Sequence, residues 1–375
     1  FRTRSGLSCT HSGISCFLFM SLSFFSLASC NDEVANQFSP KPSALGRLNE
    51  IEIISDDDIW DGSTGDSIRY YFGSSYPIMP TPEPIFDMRQ FSPRDLAQEP
   101  LRRELRTYVV VADLQDDESE TTKMIRQDLG EERFMNLKIS KEYSSTIGRD
   151  KWARNQLLIY IMGNGKSNIH RAIREKFPTI AKKINEHDEA QLTASIYSVR
   201  KTNLGLKRKV KEMYGIDMAV PGDYRMAVED EGRKQLWLRR DDKKGAILNI
   251  MMQAEKYEDQ SQFDTDKIKN TLNTLSKQYV KTNTFGSTMI INDEDLPVYD
   301  YGYEIDGQYT RELRGVWEMT DDFMAGPFVA YGINLKESNT ILYIYAFVYG
   351  PGISKRNLIQ QLDHIVKNVK VTRPS

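Results

Sequence analysis

The sequence predicts an α+β protein of two related halves, each with a mainly antiparallel sheet and a strand–glycine turn–helix ending. Apolar runs of strand length occur at 105–114 (LRTYVVVADL) and 156–162 (QLLIYIM). Beyond Gly215 the apolar period changes from helical to two. Two similar segments, LLIYIMGNGKS near residue 160 and IYAFVYGPGIS near residue 347, each precede a helical pattern, and they lie 187 residues apart.

Residues 1–29 are predicted to be a lipoprotein signal peptide. Arg2 and Arg4 form a short basic segment, and residues 14–27 (ISCFLFMSLSFFSL) are apolar at ten of fourteen positions. A membrane-spanning helix needs about 20 residues, so this run is too short to span comfortably and is typical of the apolar core of a signal peptide.

The leader ends in a tetrapeptide that resembles the lipobox of bacterial lipoproteins, Leu27-Ala28-Ser29-Cys30. We expect Cys30 to be the lipid-attachment site and the first residue of the mature chain. It should carry several acyl chains, such as palmitate, because a single acyl chain anchors only marginally. The alternative is ordinary cleavage after Ala28, with Ser26 and Ala28 as the small residues that such cleavage needs.

The cysteines agree with lipidation, since all three, Cys9, Cys16 and Cys30, lie in the leader or at its end. The mature chain would keep no free thiol. That excludes disulfides, cysteine metal sites and a cysteine nucleophile, and it suits an oxidising compartment.

Residues 30–46 are predicted to be the lipidated cysteine and a flexible tether, because the segment is polar, holds two prolines and shows no periodicity. Asp32 and Glu33 resemble the acidic signal that follows the cysteine in Bacteroidota lipoproteins displayed on the cell surface. A merely solvated tether explains them equally well. The expected location is the cell envelope, anchored by lipid in the outer membrane, on its periplasmic face or at the cell surface.

The mature chain, residues 30–375, is long enough for two domains or for one large domain with a substantial core. The formal net charge of the whole chain is −3, and removal of the two leader arginines makes the mature chain slightly more acidic. Nucleic-acid binding is therefore not expected, because it requires a basic footprint.

The first half is predicted over 47–188, with strands near 49–54, 105–114 and 156–162 and helices over 121–132 and 167–184. Pro178 argues against an unbroken helix in the last of these. The second half, 189–375, should begin with a long linking helix over 189–214. Period-two strands, a helix over 264–280 and a closing helix over 354–369 follow.

Several motifs that suggest chemistry are better explained structurally. Gly165-Lys166-Ser167 resembles the end of a phosphate-binding loop, but Tyr160 occupies the position of its first glycine. We expect instead a glycine turn and a helix capped by serine. Runs of adjacent acids lack the spacing of a calcium loop, and the histidines lack the spacing of zinc ligands. We therefore assign no catalytic, metal-binding or cofactor-binding residue and expect no cofactor.

Two other features leave alternatives open. The basic cluster at 207–211 is most simply a solvated helix face, although it could meet anionic lipid headgroups. Aromatic residues between 299 and 331 suit a half-buried sheet, and they would also suit a ligand or glycan surface. They are Tyr299, Tyr301, Tyr303, Tyr309, Trp317, Phe323, Phe328 and Tyr331.

The sequence resembles an uncharacterised Bacteroidota lipoprotein family, domain of unknown function 4837, through nearly all of the mature chain. The resemblance is carried by GRLNEIEII, IWDG, GDSIRYYFG, PEPIFDMRQFSP, LRRELRTYVVVADL and WARNQLLIYIMGNG. It implies a location and a lineage, but no activity and no catalytic residues.

Two functions of different classes remain. The favoured one is a non-catalytic binding or scaffolding lipoprotein, whose partners are the lipid bilayer and an unknown envelope protein or glycan. The alternative is a carboxylate-dependent hydrolase of an envelope polymer, using Asp57 or Asp66 together with Glu83. That alternative requires the chosen acids to converge across one pocket.

Overall fold

The structure, a computed structural model, describes residues 40–140 and 142–372. The predicted signal peptide, Cys30 and residues 31–39 of the tether lie outside these ranges. Within them, no helix is both long and apolar enough to cross a membrane.

A five-stranded sheet forms the centre of the first half, in the order β2-β1-β3-β5-β4. Its strands are β1 (Glu50–Ile54), β2 (Asp87–Phe91), β3 (Thr107–Asp113), β4 (Tyr143–Arg149) and β5 (Leu157–Gly163). The helices of this half are α1 (Asp57–Trp60), α2 (Ser63–Phe72), α3 (Pro93–Gln98), α4 (Glu120–Leu129), α5 (Glu131–Ile139) and α6 (Lys166–Tyr197).

The prediction of a mainly antiparallel sheet is wrong for this half. Strand β1 is parallel to β2 and β3, and β3 is parallel to β5, so only β4 is antiparallel to its neighbour. Helices α2 and α6 cover one face of the sheet, while α3, α4 and α5 cover the other. Strands buried on both faces are continuously apolar, which explains the uninterrupted runs in β3 and β5.

An eight-stranded antiparallel sheet forms the centre of the second half, in the order β10-β12-β13-β14-β9-β8-β7, with β11 also paired to β12. Its strands are β7 (Arg225–Asp230), β8 (Gln235–Asp241), β9 (Ile247–Lys256), β10 (Met289–Asn292), β11 (Tyr299–Ile305), β12 (Gln308–Met319), β13 (Asp322–Leu335) and β14 (Thr340–Tyr349). Two short strands, β6 (Ile216–Asp217) and β15 (Lys370–Val371), pair separately. The helices are α7 (Leu204–Tyr214), α8 (Thr265–Tyr279) and α9 (Arg356–Lys367).

Both faces of the larger sheet are covered. Helix α8 packs on the face that carries Leu313 and Trp317, and helix α9 packs on the face that carries Val329 and Tyr331. The α+β class with two halves is therefore confirmed.

The strand–glycine turn–helix endings are also confirmed, because β5 leads into α6 and β14 leads into α9. Gly165 and Gly352 have φ of 84° and 69°, a left-handed backbone that favours glycine. The similarity stops there: β14 lies between two antiparallel neighbours, whereas β5 lies between a parallel and an antiparallel strand. The two halves therefore share the strand–glycine turn–helix unit but not the arrangement of strands in their sheets.

Two helix predictions need correction. The helix predicted over 189–214 is two helices, because α6 ends at Tyr197 and Asn203 starts α7 by accepting a hydrogen bond from the Leu206 backbone N–H. The prediction that a serine caps α6 is also wrong, because the N-cap residue of α6 is Gly165. The backbone N–H of Gly165 donates to the Asp113 carboxylate (2.8 Å). Pro178 lies within α6 without ending it.

Candidate ligand-binding cleft

A cleft lies between the two halves, where a loop of the first half enters the core of the second. Ile78 and Met79 are buried in the hydrophobic cluster that also contains Ile359 and Leu362 of α9. Ile78 has φ of 71°, which is strained for a β-branched residue and persists only where its surroundings fix it. Burial of this loop places Tyr76 at the cleft.

Two cavities share Tyr76, Arg314 and Lys367. The first, of about 540 Å³, has the Tyr76–Ile78 loop on one side and β11 on the other. The second, of about 530 Å³, lies between α6 and α9 and is lined by residues such as Asp188, Glu189 and His364. Both volumes are within the range of ligand sites, and the first cavity also has the mainly apolar wall with a few polar groups that is typical of such sites.

Tyrosines form the wall of the first cavity because side chains alternate along a strand. Tyr299, Tyr301 and Tyr303 lie on one face of β11, opposite Arg314, Glu312 and Thr310 of β12. Tyr299 and Tyr301 are 38% and 49% exposed. Tyrosine offers an apolar ring and a polar hydroxyl at low conformational cost, which suits a binding surface.

A buried ionic network forms the floor of the cleft. The Arg314 guanidinium donates to Asp363 (2.7 Å) and to Glu312, whose side chain is only 2% exposed. The Lys367 ammonium lies 3.3 Å from Glu312 and 3.2 Å from Asp363. The hydroxyls of Tyr303 and Tyr331 donate to Glu312 and Asp363, respectively. The two carboxylates are thus balanced by two cations.

The pKa shifts in the network favour ionised Asp363 and protonated tyrosines. Burial alone would raise the pKa of Asp363, but Arg314, Lys367 and the Tyr331 hydroxyl outweigh it and lower that pKa. Burial and the neighbouring carboxylates raise the pKa of Tyr303 and of Tyr331. These tyrosines therefore remain hydrogen-bond donors at neutral pH. The arrangement is suited to holding fixed polar groups at the cleft floor.

The start of α9 is tied to the first half by Glu83. The Glu83 carboxylate accepts hydrogen bonds from the Ser354 hydroxyl and from the backbone N–H groups of Lys355 (2.7 Å) and Arg356 (2.9 Å). A carboxylate at a helix N-terminus satisfies free N–H groups and complements the helix dipole. The Arg356 side chain donates in return to Asp87 (2.7 Å).

A second tie lies at the cavity between α6 and α9. The Asn49 amide donates to Asn357 (2.9 Å) and Gln360 (2.7 Å) of α9. The Asn49 backbone N–H donates to Asp188 (2.9 Å), which also pairs with Arg106 (3.1 Å). Through these two ties, the Glu83 loop and Asn49 of the first half are both fixed to α9.

The aromatic residues between 299 and 331 divide between the two predicted roles. Trp317, Phe328 and Tyr331 are buried in the cores of the sheet. Tyr299 and Tyr301 instead face the cleft, as a ligand surface would require.

The acids proposed for hydrolysis have separate local partners. Asp66 pairs with Arg69 (2.9 Å), and Glu83 caps α9. Asp57 lines a crevice at the carboxyl ends of the parallel strands, where its neighbour Asp56 binds Ser119 and Thr121 at the start of α4. Over residues 40–140 and 142–372, no group of three or more metal-ligating side chains comes together.

The basic cluster at 207–211 is partly neutralised. Lys207 pairs with Asp217 (2.9 Å), and Lys209 pairs with Glu229 and with Glu231 (2.7 Å). This agrees with a solvated helix face.

Of the predicted site residues, Leu27, Ala28, Ser29 and Cys30 lie outside the described residues. The sequence did not single out the cleft residues Tyr76, Arg314, Asp363 and Lys367. Polar side chains alternating along β12 are the usual pattern of a face exposed to solvent, so nothing indicated that a helix covers them.

Comparison with known proteins gives two family matches. Residues 203–368 match "Domain of unknown function (DUF4837)", and residues 44–197 match "Domain of unknown function (DUF8532)". The resemblance to the first family is confirmed, but its expected extent over nearly all of the mature chain is wrong. The segments on which it was based lie in the DUF8532 region. No curated protein matches the sequence.

Solved structures show only distant similarity. One is LpqN, involved in cell envelope biogenesis of Mycobacterium tuberculosis, at 8% identity over 42% of this chain and 83% of that chain. Another is the Ran-binding protein Mog1p of Saccharomyces cerevisiae, at 13% identity over 42% and 90%. Both have a TM-score of 0.26, at which no argument about fold or function follows. The family matches are thus similarities of regions: residues 203–368 are similar to the DUF4837 family and residues 44–197 to the DUF8532 family, each over less than half of the chain.

Proposed function

We propose that this protein is a non-catalytic binding or scaffolding lipoprotein of the cell envelope, anchored to the outer membrane through acylated Cys30. The cleft between its halves would bind an envelope protein or glycan. The lipobox-like Leu27-Ala28-Ser29-Cys30 supports the anchor. The observation that carries the binding function is the cleft itself, which is walled by partly exposed tyrosines over a charge-balanced floor.

The charge balance of the cleft floor favours binding over hydrolysis. Glu312 and Asp363 are each engaged by Arg314, Lys367 and a tyrosine hydroxyl, which leaves them poorly placed to exchange a proton with a ligand as a general acid or base must. The two ties to α9 hold the two halves of the chain together, and a rigid site lowers the entropic cost of binding.

The anchor is tested by metabolic labelling with an alkyne-tagged fatty acid. We expect label on the wild-type protein and none on Cys30→Ser, while the matched control Cys16→Ser stays labelled because that cysteine lies within the leader. Label on Cys30→Ser, or none on the wild type, would contradict lipidation at this residue.

The binding function is tested by chemical crosslinking of intact envelopes and purification of the protein. We expect a discrete crosslinked species from the wild type that is lost from the double variant Tyr299→Ala/Tyr301→Ala. Both side chains are partly exposed, so their removal should leave the fold intact. A control, Tyr70→Ala, removes an exposed tyrosine that does not line the cleft and should change nothing. Equal recovery from all three proteins would overturn the proposal.

A further inference from the structure

Strand β11 is an edge of the large sheet that borders the cleft. It pairs with β12 on one side, and no other described strand pairs with it. An open edge offers a row of backbone donors and acceptors to another strand, so most proteins protect such edges with prolines, lysines or bulges. Strand β7, at the opposite edge of the sheet, has a register shift between Met226 and Val228. Strand β11 has seven residues, no proline, no lysine and an unbroken register.

The turn that joins β11 to β12 determines which backbone groups point outward. Asp306 and Gly307 both have left-handed φ, 49° and 76°, as in a two-residue type I′ hairpin. Ile305 and Gln308, which flank the turn, therefore form a hydrogen-bonded pair, and such pairs recur at every second residue. Tyr303, Tyr301 and Tyr299 bond inward to β12. The N–H and C=O groups of Asp300, Gly302 and Glu304 point away from it.

Gly302 lies at the centre of this outward row and lines the cleft. A glycine inside a strand often marks a place where another backbone approaches closely. Packing does not require it here, because an added Cβ would meet no atom nearer than the Arg311 guanidinium at 3.6 Å. In the described ranges, no hydrogen-bond partner of the outward groups of Asp300, Gly302 and Glu304 is present.

A second copy of the chain fits this edge poorly. Antiparallel pairing of two β11 strands about Gly302 would place Asp300 opposite Glu304 of the second copy, and like charges directly opposite each other are destabilising. One of these acids, Glu304, favours a strand with basic residues on that face. Asp300 already pairs with Arg311 (2.6 Å), whereas Glu304 is exposed and forms no ion pair among the described residues.

We infer that the outward edge of β11 binds an extended peptide segment as an added strand, in which basic residues alternate with apolar ones. The basic side chains lie on the face of β11 that carries Glu304, and the apolar ones lie against its tyrosine face. Main-chain hydrogen bonds supply affinity and the alternating side chains supply specificity, as in other strand-addition complexes. This inference rests on the binding function proposed above and names the class of its partner.

The probe is a fluorescent, end-capped heptapeptide of alternating lysine and valine, titrated into the detergent-solubilised full chain and followed by anisotropy. A block peptide of the same composition should bind at least about tenfold more weakly, because its side chains cannot match both faces. The same loss is expected when alternate peptide nitrogens facing β11 are methylated. Equal binding of the alternating and block peptides, or no binding of either, would overturn strand addition.

The protein variant is Gly302→Pro, which removes the outward N–H. Proline is tolerated at an edge position whose N–H is not used by the sheet. We expect at least about a tenfold loss of peptide affinity, with Gly302→Ala as the control that binds like the wild type. Unchanged affinity in Gly302→Pro would contradict the inference. If Gly302→Pro fails to fold, the affinity of the N-methylated peptide is the deciding measurement, and unchanged binding of that peptide would contradict the inference.

Failure of this inference can be told apart from failure of the binding function. If the heptapeptide does not bind but Tyr299→Ala/Tyr301→Ala still abolishes crosslinking in envelopes, strand addition is wrong and the cleft remains a binding site for another ligand. If both experiments fail, the binding function is wrong as well.

Discussion

Arg314 is the residue on which the cleft floor depends, because it pairs with both buried carboxylates. Arg314→Met would leave Glu312 and Asp363 with only Lys367 as a cation. Breaking a buried ion pair by removing one partner costs about 3–5 kcal/mol, so we expect a loss of unfolding free energy of that order. Urea denaturation measures it.

The control for this prediction is Arg94→Met. Arg94 forms an exposed pair with Glu120, and exposed pairs contribute little to stability because water and salt screen them. A loss in Arg314→Met no greater than that in Arg94→Met would show that the network contributes little to the fold.

The lowered pKa of His187 should make the free energy of unfolding depend on pH. Burial and the charges of Arg106 and Arg149 lower the pKa of His187 to about 4 from its usual 6.5. As pH falls from about 6.5 to about 4, the unfolded chain takes up a proton that the folded chain does not, so stability falls across that window. His187→Gln should lose stability less steeply there, as measured by thermal unfolding at a series of pH values. Parallel pH profiles would contradict this account.

Single residues were the hardest features to predict from the sequence. The alternating tyrosines of β11 suggested a possible ligand surface, because their spacing is local. Tyr76, Arg314 and Asp363 come together only through tertiary structure, from a loop, a strand and a helix that are far apart in the chain. No local pattern distinguishes such polar residues from exposed ones.

At the scale of elements, Glu83 links the proline-rich loop to helix α9. Glu83→Ala removes the acceptor for three donors at the helix start, and loss of an N-terminal cap costs about 0.5–2 kcal/mol. We expect a fall in melting temperature of the full chain. The control Glu118→Ala removes an exposed acid and should have a much smaller effect.

This prediction also separates a structural role of Glu83 from a catalytic one. A catalytic acid is commonly held at some cost in stability, so its removal would leave the melting temperature unchanged or raise it. An unchanged melting temperature in Glu83→Ala would therefore contradict the capping role and would favour the hydrolase alternative.

Element types could be predicted more reliably than strand direction. The apolar runs at 105–114 and 156–162 indicated buried strands, and both exist as β3 and β5. Their parallel pairing requires a crossover connection, which here contains α4, α5 and β4, and the pattern of one strand does not reveal the path of that connection. The meander after Gly215 was predictable because its turns are short and local.

At the scale of the whole molecule, two sheets of different topology are joined by helix α6 and held by ties to α9. Sequence patterns predicted the two halves and their similar endings. They allowed for a cleft between the halves but did not predict the residues that form it, because its walls depend on the insertion of the Tyr76–Met79 loop into the core of the other half. The proposed location of the molecule depends on Cys30, and the proposed binding function depends on this cleft.

The most direct test of the central claim is site-specific photocrosslinking in living cells, with a photoreactive phenylalanine analogue at position 301 or 70. Tyr301 lines the cleft, whereas Tyr70 is 73% exposed and does not line it. We predict a discrete crosslinked product from position 301, none from position 70, and loss of the product when Cys30→Ser removes the anchor. No product from position 301, or the same product from both positions, would contradict a lipid-anchored protein that binds its partner in this cleft.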